Sequence, residues 1–387
     1  MSWKHLFGHA LSAAPDRLHM AAHSHHLWPD ATRAAQIACW DDAARLADHK
    51  WDRVFGEVIP DAQAGIAAEL NLPSPDSIAF SSNTHDLLLR IVSARTKPVR
   101  ILATDGEFHS FRRQVARWVE SGEVQLEVVP CDPAHDLAAR FAARARSGDH
   151  DIVFASQVFF GTGRLFEGLI DLSDIAAPEG PWLVVDGYHG FMAVPTDLSH
   201  AGTRAFYLAG GYKYAMAGEG AAFLHAPPGF GPRPAITGWF AEFEDLTAPP
   251  GTIGYAPDAR RFLGATFDPS GIYRLAAVFR MLREEGLTTA IISDHVTRLQ
   301  QRLVDLIGEG AAGPLDKAEL LNPLGECPHA RFLALRHRQA AQWKAELDRA
   351  GIVTDVRGDV LRIGLGLYHD ASDIDLFAAR CRALLQP

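Results

Sequence analysis

The residue of greatest chemical interest in this chain is a lysine in a loop of small residues. Lys213 belongs to the segment Ala-Gly-Gly-Tyr-Lys-Tyr at 209–214, between two apolar runs that are typical of strands, 205–208 and 221–225. An earlier apolar run, 182–185, leads directly into Asp186, and His189 follows shortly after. An amine in an apolar loop can act as a nucleophile or a base, and a carboxylate at a strand end can keep a ring nitrogen protonated.

This set of groups meets the requirements of pyridoxal phosphate chemistry, in which a lysine forms a Schiff base and an aspartate holds the pyridinium nitrogen protonated. An aspartate at a strand end can instead cap the next helix. The cofactor interpretation is favoured because each candidate follows a predicted strand, and parallel strands bind ligands beyond their carboxyl ends. The candidates in chain order are Thr84, Phe108, Ser156, Asp186, His189 and Lys213.

Composition excludes several other classes of function. The chain has 387 residues, of which 48% are hydrophobic and 22% are charged, and this is enough for one large domain with a smaller one. The net charge of −10, without a basic run, argues against nucleic acid as a partner. Four scattered cysteines predict neither a disulfide framework nor a zinc site. We find no membrane-spanning apolar segment and no signal peptide, so we expect a soluble cytoplasmic protein.

The order of predicted elements indicates an α/β fold. Helix-like and strand-like segments alternate from about 61 to 226 and predict a mostly parallel sheet of seven strands with helices on both faces. Residues rich in proline and glycine follow, and then two long helices and a few strands that predict a smaller α+β domain. We therefore expect a large domain over 51–255 and a small C-terminal domain over 256–387. Residues 1–50 are expected to be a helical segment that packs on the small domain and the mouth of the active site.

Two further positions are candidates for binding anions. The stretch Ser-Ser-Asn-Thr at 81–84 lies between a strand and a helix, where hydroxyls and free N–H groups can cradle a phosphate. Taken alone, helix capping explains these residues better. Arg362 lies within the apolar strand 360–365, so its guanidinium needs an anionic partner, either an internal carboxylate or the carboxylate of a substrate. The cofactor context favours the substrate.

Histidines and one cysteine raise other interpretations. His19, His23, His25 and His26 form a patch that has no acidic residue or cysteine at metal-ligand spacing, so we expect no metal there. Imidazoles that line the mouth of an active site are the better explanation. Cys327 could act as a sulfur-accepting nucleophile, but a buried apolar cysteine is more common.

Several motifs together resemble those of the class V aminotransferase family, within the fold-type I pyridoxal phosphate enzymes, and are most similar to its kynureninase branch. Asp186-Gly-Tyr-His189 resembles an Asp-x-x-His element, and Tyr212-Lys213-Tyr214 resembles a Tyr-Lys-Tyr element. The segment at 156–163 resembles Ser-Gly-Val-x-x-x-Thr-Gly. Segments 351–357 and 361–368 resemble Gly-Val-x-x-Asp-x-Arg and the arginine-containing motif that follows it.

The resemblance implies a role for each matching residue. Lys213 would hold the cofactor, Asp186 would contact its pyridinium nitrogen, and Phe108 would stack on its ring. Tyr212 is the candidate proton relay, and Arg362 would bind the substrate α-carboxylate. His23 and Ser24 lie on a substrate-facing segment. Other residues would help to hold the cofactor and its phosphate: Asn83, Thr84, Ser156, His189 and Tyr212. Trp239 would reach the phosphate from the partner subunit of a homodimer, with Thr266 near the same interface.

The chain departs from the kynureninase pattern at three places. Phe111 replaces an aspartate, Phe267 stands near a position that is an asparagine or a small polar residue, and the histidine-rich segment 23–26 replaces Gly-Asn-Ser-Leu-Gly. The implied reaction is hydrolytic cleavage of the Cβ–Cγ bond of an amino acid, giving alanine and an aromatic acid. The alternatives are transamination or C–S cleavage, as in a cysteine desulfurase that would need Cys327. A further alternative is a non-catalytic module with the same fold.

Overall fold

The structure is a computed structural model that describes residues 2–245, 249, 251–325 and 330–386. The strands are β1 Leu18–His19, β2 Ile78–Ser81, β3 Val99–Thr104, β4 Val124–Val129, β5 Ile152–Ser156, β6 Trp182–Asp186, β7 Ala205–Gly210, β8 Ala222–His225, β9 Glu319–Leu320, β10 Phe332–Arg336, β11 Ile352–Val353, β12 Asp355–Arg357 and β13 Val360–Gly364. The α-helices are α1 Gly8–Ser12, α2 Asp30–Leu46, α3 Lys50–Arg53, α4 Ile59–Glu69, α5 Thr84–Ser93, α6 His109–Glu120, α7 Leu137–Ser147, α8 Ser270–Glu284, α9 Thr289–Gly308, α10 Ala340–Arg349 and α11 Ala371–Leu384.

A sheet of seven strands forms the centre of the described chain, in the order β2-β8-β7-β6-β5-β3-β4. The five strands from β7 to β4 run parallel, and β8 runs antiparallel to both of its neighbours. β5, β6, β7 and β8 are rich in apolar residues and almost entirely buried, as expected for strands covered by helices on both faces. The predicted α/β fold with a mostly parallel seven-stranded sheet is confirmed.

The register of the sheet places chemically important residues side by side. Ser156, at the end of β5, pairs with Asp186 at the end of β6, and Asp186 in turn pairs with Leu208 on β7. The loop that carries Lys213 leaves the sheet just beyond Leu208, between β7 and β8. The carboxyl ends of these strands therefore meet at one edge of the sheet, which is where open α/β sheets bind ligands.

A second, antiparallel sheet has the strand order β12-β13-β10-β9. With α8, α9, α10 and α11 it makes up most of the C-terminal part of the chain. The domain boundaries near 50 and 255 stay predictions. Among the described residues, no helix is long and apolar enough to cross a bilayer.

The N-terminal residues include a strand that the helical expectation missed. Residues 18–19 form β1, which pairs in parallel with β11, and the amide of Met20 continues the ladder to the carbonyl of Val353 at 2.8 Å. A segment of two residues is too short to show the alternating hydrophobic pattern of a strand. Only its backbone pairing with the distant β11 defines β1 as a strand. The amide of His26 donates to the carbonyl of Tyr212 at 3.0 Å, which ties the same segment to the lysine loop.

Buried histidines hold this segment in place. His19 Nδ1 lies 2.6 Å from the hydroxyl of Tyr368, and His369 Nε2 lies 2.7 Å from the carbonyl oxygen of His19. Burial lowers the pKa of His19 and of His26 to about 3, and that of His369 to about 4. These imidazoles are therefore neutral in the folded protein and act as packed polar groups.

We expect this packing to make the fold sensitive to acid. An unfolded histidine takes up a proton near pH 6.5, whereas the folded protein keeps these imidazoles neutral to about pH 3 or 4. Stability is therefore complete above about pH 6.5 and falls as the pH drops below it, by about 1.4 kcal/mol per pH unit for each histidine. Thermal melting measured from pH 7.5 to 5 tests this. His19→Gln should flatten the decline, and His49→Gln, at an exposed site, should leave it unchanged. An equal slope in all three proteins contradicts the assignment.

Candidate active site

A cavity of about 1560 Å³ opens at the carboxyl edge of the large sheet. It brings together eight of the residues that the sequence proposed, from strand ends and loops far apart in the chain. These residues are Asn83, Thr84, Phe108, Ser156, Asp186, His189, Tyr212 and Lys213. His23, Ser24, Trp239, Thr266 and Arg362 are not part of its lining.

Lys213 is buried at this edge, with its amine beside aromatic rings. Its Nζ donates to the carbonyl oxygen of His23 at 3.3 Å and lies 4.9 Å from the centre of the Tyr212 ring and 5.6 Å from that of Tyr188. Burial, together with the nearby guanidinium of Arg362, lowers the pKa of Lys213 to about 7. An amine with this pKa is largely available as a base or nucleophile near neutral pH.

The loop after Lys213 is held by α8 and by Trp28. Arg274, on α8, donates through Nε to the carbonyl of Ala217 at 2.7 Å and through Nη2 to the carbonyl of Glu219. Gly218 has a φ of +71°, and a Cβ there would lie 2.2 Å from the Trp28 ring. A glycine is therefore required at 218 for both backbone conformation and space. These contacts fix the backbone that presents the lysine.

Asp186 faces the cavity from the end of β6. Its Oδ1 accepts the amide N–H of Tyr188 at 2.9 Å. The loss of solvent raises its pKa, while the Tyr188 hydrogen bond and the charge of Lys213 act in the opposite direction. The helix-capping alternative receives no support, because the residues that follow Asp186 form turns. The carboxylate is placed to accept a hydrogen bond from a protonated nitrogen of a ligand in the cavity.

His189 contributes a buried imidazole to the cavity. Among the described residues, its Nδ1 has no hydrogen-bond partner. Burial lowers its pKa well below the usual range, and the charges of Lys213 and Arg362 add to the effect. A neutral ring with an unsatisfied nitrogen is costly unless a ligand supplies the partner.

Glu107 is a buried carboxylate that the sequence analysis did not propose as a site residue. It accepts from the Thr104 hydroxyl at 2.5 Å, and from the Ser156 amide and hydroxyl at 3.0 and 2.6 Å. Burial raises its pKa to about 7, and the charge of Asp186 contributes to the rise. In the sequence this residue resembles an ordinary solvated loop glutamate, and only the fold brings it beneath two strand ends.

The polar residues at the start of α5 are compatible with both helix capping and phosphate binding. Asn83 is the N-cap, since its side chain accepts the amide of Asp86 at 2.9 Å. The carboxylate of Asp86 lies 3.4 Å from the Ser82 hydroxyl and 3.2 Å from Asn83 Nδ2. Thr84 is the first helical residue and also lines the cavity. The capping interpretation therefore holds for Asn83, and the helix N-terminus still opens onto the cavity.

Phe108 lies at the start of α6, where its half-buried ring faces the cavity. It makes an edge contact with Phe160 at 5.4 Å, and His109 contacts the same ring at 5.0 Å. Phe111, which stands in place of a carboxylate in the related motif, also lines the cavity and stacks on Phe154 at 3.9 Å. An aromatic wall at the cavity is therefore built from Phe108 and Phe160.

Arg362 and His23 lie behind this wall. The guanidinium of Arg362 pairs with Asp355 and donates to the carbonyl oxygen of Phe160, and it is only 2% exposed. His23 is fully buried against Phe332, with Nε2 3.6 Å from the Asp355 carboxylate. Arg362 thus has an internal anion, which is one of the two partners that the sequence left open. Ser24 is half-buried, and its hydroxyl lies 3.4 Å from His25 Nδ1.

The remaining sequence candidates lie elsewhere. Trp239 is 45% exposed and stacks on Phe240 at 4.2 Å, and Thr266 is exposed. Cys327 lies outside the described residues. The structure therefore assigns neither Trp239 nor Thr266 to the cavity of their own chain.

The residues at the cavity fit pyridoxal phosphate. A buried amine, a carboxylate and a neutral imidazole with an unsatisfied nitrogen face the same space. Lys213 would hold the cofactor covalently, Asp186 would accept its ring N–H, and His189 would supply a further polar contact. The aromatic ring of Phe108 provides a flat surface at the same site.

Comparison with known proteins agrees with this fit. The model of the family described as aminotransferase class-V matches residues 39–377. A kynureninase from Deinococcus radiodurans is 28% identical, over 98% of this chain and 90% of the relative.

Solved structures of similar fold are more distant in sequence. A variant of the cystine C–S lyase C-DES, with glycine covalently linked to pyridoxal phosphate, superposes with a TM-score of 0.81 at 16% identity and covers 99% of this chain and all of that chain. A cysteine desulfurase from Escherichia coli superposes with a TM-score of 0.78 at 16% identity, covering 99% and 98% of the two chains. The chain belongs to the aminotransferase class-V family, and its cofactor is pyridoxal phosphate.

Proposed function

We propose that the protein is a kynureninase-like hydrolase that cleaves the Cβ–Cγ bond of an amino acid and releases alanine and an aromatic acid. The observation that carries this proposal is the similarity to a kynureninase along 98% of the chain, with the motif lysine, aspartate and histidine all present at one cavity. The substrate is an α-amino acid with a γ-carbonyl group and an aromatic side chain.

The residues of this chain then have distinct tasks. Pyridoxal phosphate supplies a conjugated ring that delocalises the electron pair left on the substrate Cα. Asp186 holds the ring nitrogen in its protonated form, which strengthens that delocalisation. Lys213 would hold the cofactor, and its free amine would remove the α-proton of the substrate, since its lowered pKa suits a base near neutral pH.

Two other residues handle substrate and protons. Arg362 binds the substrate α-carboxylate. Its guanidinium already contacts Phe160 and Asp355, so either these contacts rearrange or the carboxylate uses the N–H groups that they leave free. Among the described residues, its buried Nε has no hydrogen-bond partner, so this donor would be satisfied by a carboxylate once the wall moves. Tyr212, beside the lysine amine, relays protons to the substrate carbon atoms.

A second candidate is transamination or C–S cleavage with the same lysine and aspartate. Structures with this fold include a cystine C–S lyase and a cysteine desulfurase. A desulfurase reaction would require a mobile, nucleophilic Cys327, so Cys327→Ala separates it from the hydrolase. A non-catalytic role is the least favoured, because the amine and the carboxylate of the cofactor site are both retained.

We also propose a homodimer with shared active sites. Trp239 and Thr266 are exposed and do not line the cavity of their own chain, as expected for residues that serve the site of a second copy.

Cofactor capture should depend on Lys213 and on pH. Only the neutral amine attacks an aldehyde, so the rate of capture by the cofactor-free protein should rise through about pH 7 and level off above it. The yellow absorbance of bound pyridoxal phosphate measures this rate. Lys213→Ala should abolish the colour, and Lys317→Ala, at an exposed position, should not. A rate that rises only near the pKa of a solvated lysine contradicts the burial argument.

Substrate trials decide between the proposed reactions. Incubation with kynurenine and 3-hydroxykynurenine should give anthranilate-type fluorescence and alanine, and Asp186→Ala should lower kcat by about 100-fold or more because the ring nitrogen loses its counter-charge. Cystine and cysteine are tested in parallel for sulfide or persulfide. Sulfur release without an aromatic product would replace the hydrolase by the C–S lyase.

The carboxylate role of Arg362 can be measured with the product alanine. Arg362→Met should raise the alanine concentration needed for half of the spectral change of the bound cofactor by about 10- to 100-fold, the value of a charge-assisted pair. Arg357→Met is the matched control, since Arg357 contacts the other oxygen of Asp355 from a more exposed position. An equal loss in both variants would assign Arg362 a structural role only.

A further inference from the structure

The buried carboxylate of Glu107 has no part in the chemistry described above. Its side chain is fully buried and is not part of the cavity lining, whereas its hydrogen-bond partners Thr104 and Ser156 both line the cavity. Oε1 accepts from the Thr104 hydroxyl, and Oε2 accepts from both the amide and the hydroxyl of Ser156. Three donors converge on one carboxyl group, which explains how it tolerates burial.

These contacts fix the direction of the Ser156 hydroxyl. The amide N–H of Ser156 can only donate, so Oε2 of Glu107 is an acceptor whatever the charge of the carboxyl group. In the ionised carboxylate both oxygens accept, Oε1 from the Thr104 hydroxyl and Oε2 from the Ser156 amide and hydroxyl. A hydroxyl has one proton, and that of Ser156 is committed to Oε2. Ser156 Oγ accordingly presents only lone pairs to the cavity.

A second acceptor lies next to it. Ser156 and Asp186 pair across β5 and β6, and both face the cavity. An edge that offers a carboxylate and an acceptor hydroxyl attracts a positively charged N–H group. The same edge repels a phosphate, which needs donors such as those at a helix N-terminus.

We propose that Glu107 is a positioning residue that holds the Ser156 hydroxyl as an acceptor. Ser156 and Asp186 then bind the protonated ring-nitrogen end of pyridoxal phosphate together, and the phosphate is held elsewhere, at the N-terminus of α5. This assignment differs from the sequence expectation, in which Ser156 helps to hold the cofactor and its phosphate. It rests on the cofactor of the family and is independent of which substrate is cleaved.

Binding of two cofactor forms separates the alternatives. The cofactor-free protein is titrated with pyridoxal phosphate and with pyridoxal, which lacks the phosphate, and the affinity is read from visible absorbance. Ser156→Ala should weaken both ligands by the same factor, about tenfold, because the lost contact is to the ring. Thr84→Ala, at the helix N-terminus, should weaken pyridoxal phosphate alone. A Ser156→Ala loss confined to pyridoxal phosphate, or no loss with either ligand, overturns the proposal.

Variants of Glu107 test its positioning role. Glu107→Met removes the acceptor and frees the hydroxyl proton, so it should weaken both ligands as Ser156→Ala does, and the double variant should be no weaker than Ser156→Ala alone. Glu107→Gln keeps an oxygen towards Ser156 and should stay within about threefold of the wild type for both ligands. Wild-type affinity of the Glu107→Met variant for both ligands would overturn the positioning role of Glu107.

If Glu107→Met does not fold, Glu107→Gln by itself still tests the positioning role. A Glu107→Gln protein that loses tenfold or more for both ligands would mean that the charge of Glu107, and not its acceptor geometry, matters, and the proposal would fail. None of these titrations contains an amino-acid substrate. Failure to cleave kynurenine would therefore leave their outcome untouched.

Discussion

The burial of opposite charges at the carboxyl edge of the large sheet is the constraint on which the rest of the structure depends. An amine, two carboxylates and a guanidinium lie within the same poorly solvated region, at Lys213, Asp186, Glu107 and Arg362. Isolated, each would be strongly destabilising. The ends of the parallel strands satisfy Glu107 through the amide and hydroxyl of Ser156, whereas Arg362 is satisfied by Asp355 and the carbonyl oxygen of Phe160. The chemistry of the site uses the pKa shifts that this arrangement causes.

The N-terminal segment completes the enclosure of the lysine. It reaches the amine through the carbonyl of His23 and reaches the neighbouring loop through the amide of His26. Both histidines are buried, and their side chains pack against the C-terminal part of the chain, His23 against Phe332 and His26 against Tyr368. The histidine-rich stretch therefore acts mainly as packing. It resembles a metal or substrate site in the sequence because imidazole is polar, yet a neutral imidazole can be buried like an aromatic ring.

The sequence could predict the residues that follow strands, because hydrophobic period and strand ends are local properties. Asp186 and Lys213 were proposed in this way, and so were the seven strands of the large sheet along the chain. Glu107 could not be found, since its burial depends on the register that brings Ser156 beside it from 49 residues away. The partner of Arg362 could in principle have been predicted from the sequence. Asp355 faces it across the antiparallel pair β12–β13, a spacing that a predicted hairpin would have provided.

The residues at the floor of the cavity and those in its walls bear on different aspects of the reaction. In the proposed mechanism Lys213 and Asp186, at the floor, supply proton removal and electron withdrawal, which hydrolysis, transamination and C–S cleavage would all share. The outcome depends on the groups that approach the substrate side chain. In this chain the nearest wall is aromatic, formed by Phe108 and Phe160, and the carbonyl of Phe160 contacts Arg362. Under the role proposed for Arg362, binding of a substrate carboxylate there would therefore affect the position of this wall. Under the same proposal, recognition of the carboxylate and the shape of the side-chain pocket would be coupled through one loop, so a substrate that fills the pocket poorly would also bind its carboxylate poorly.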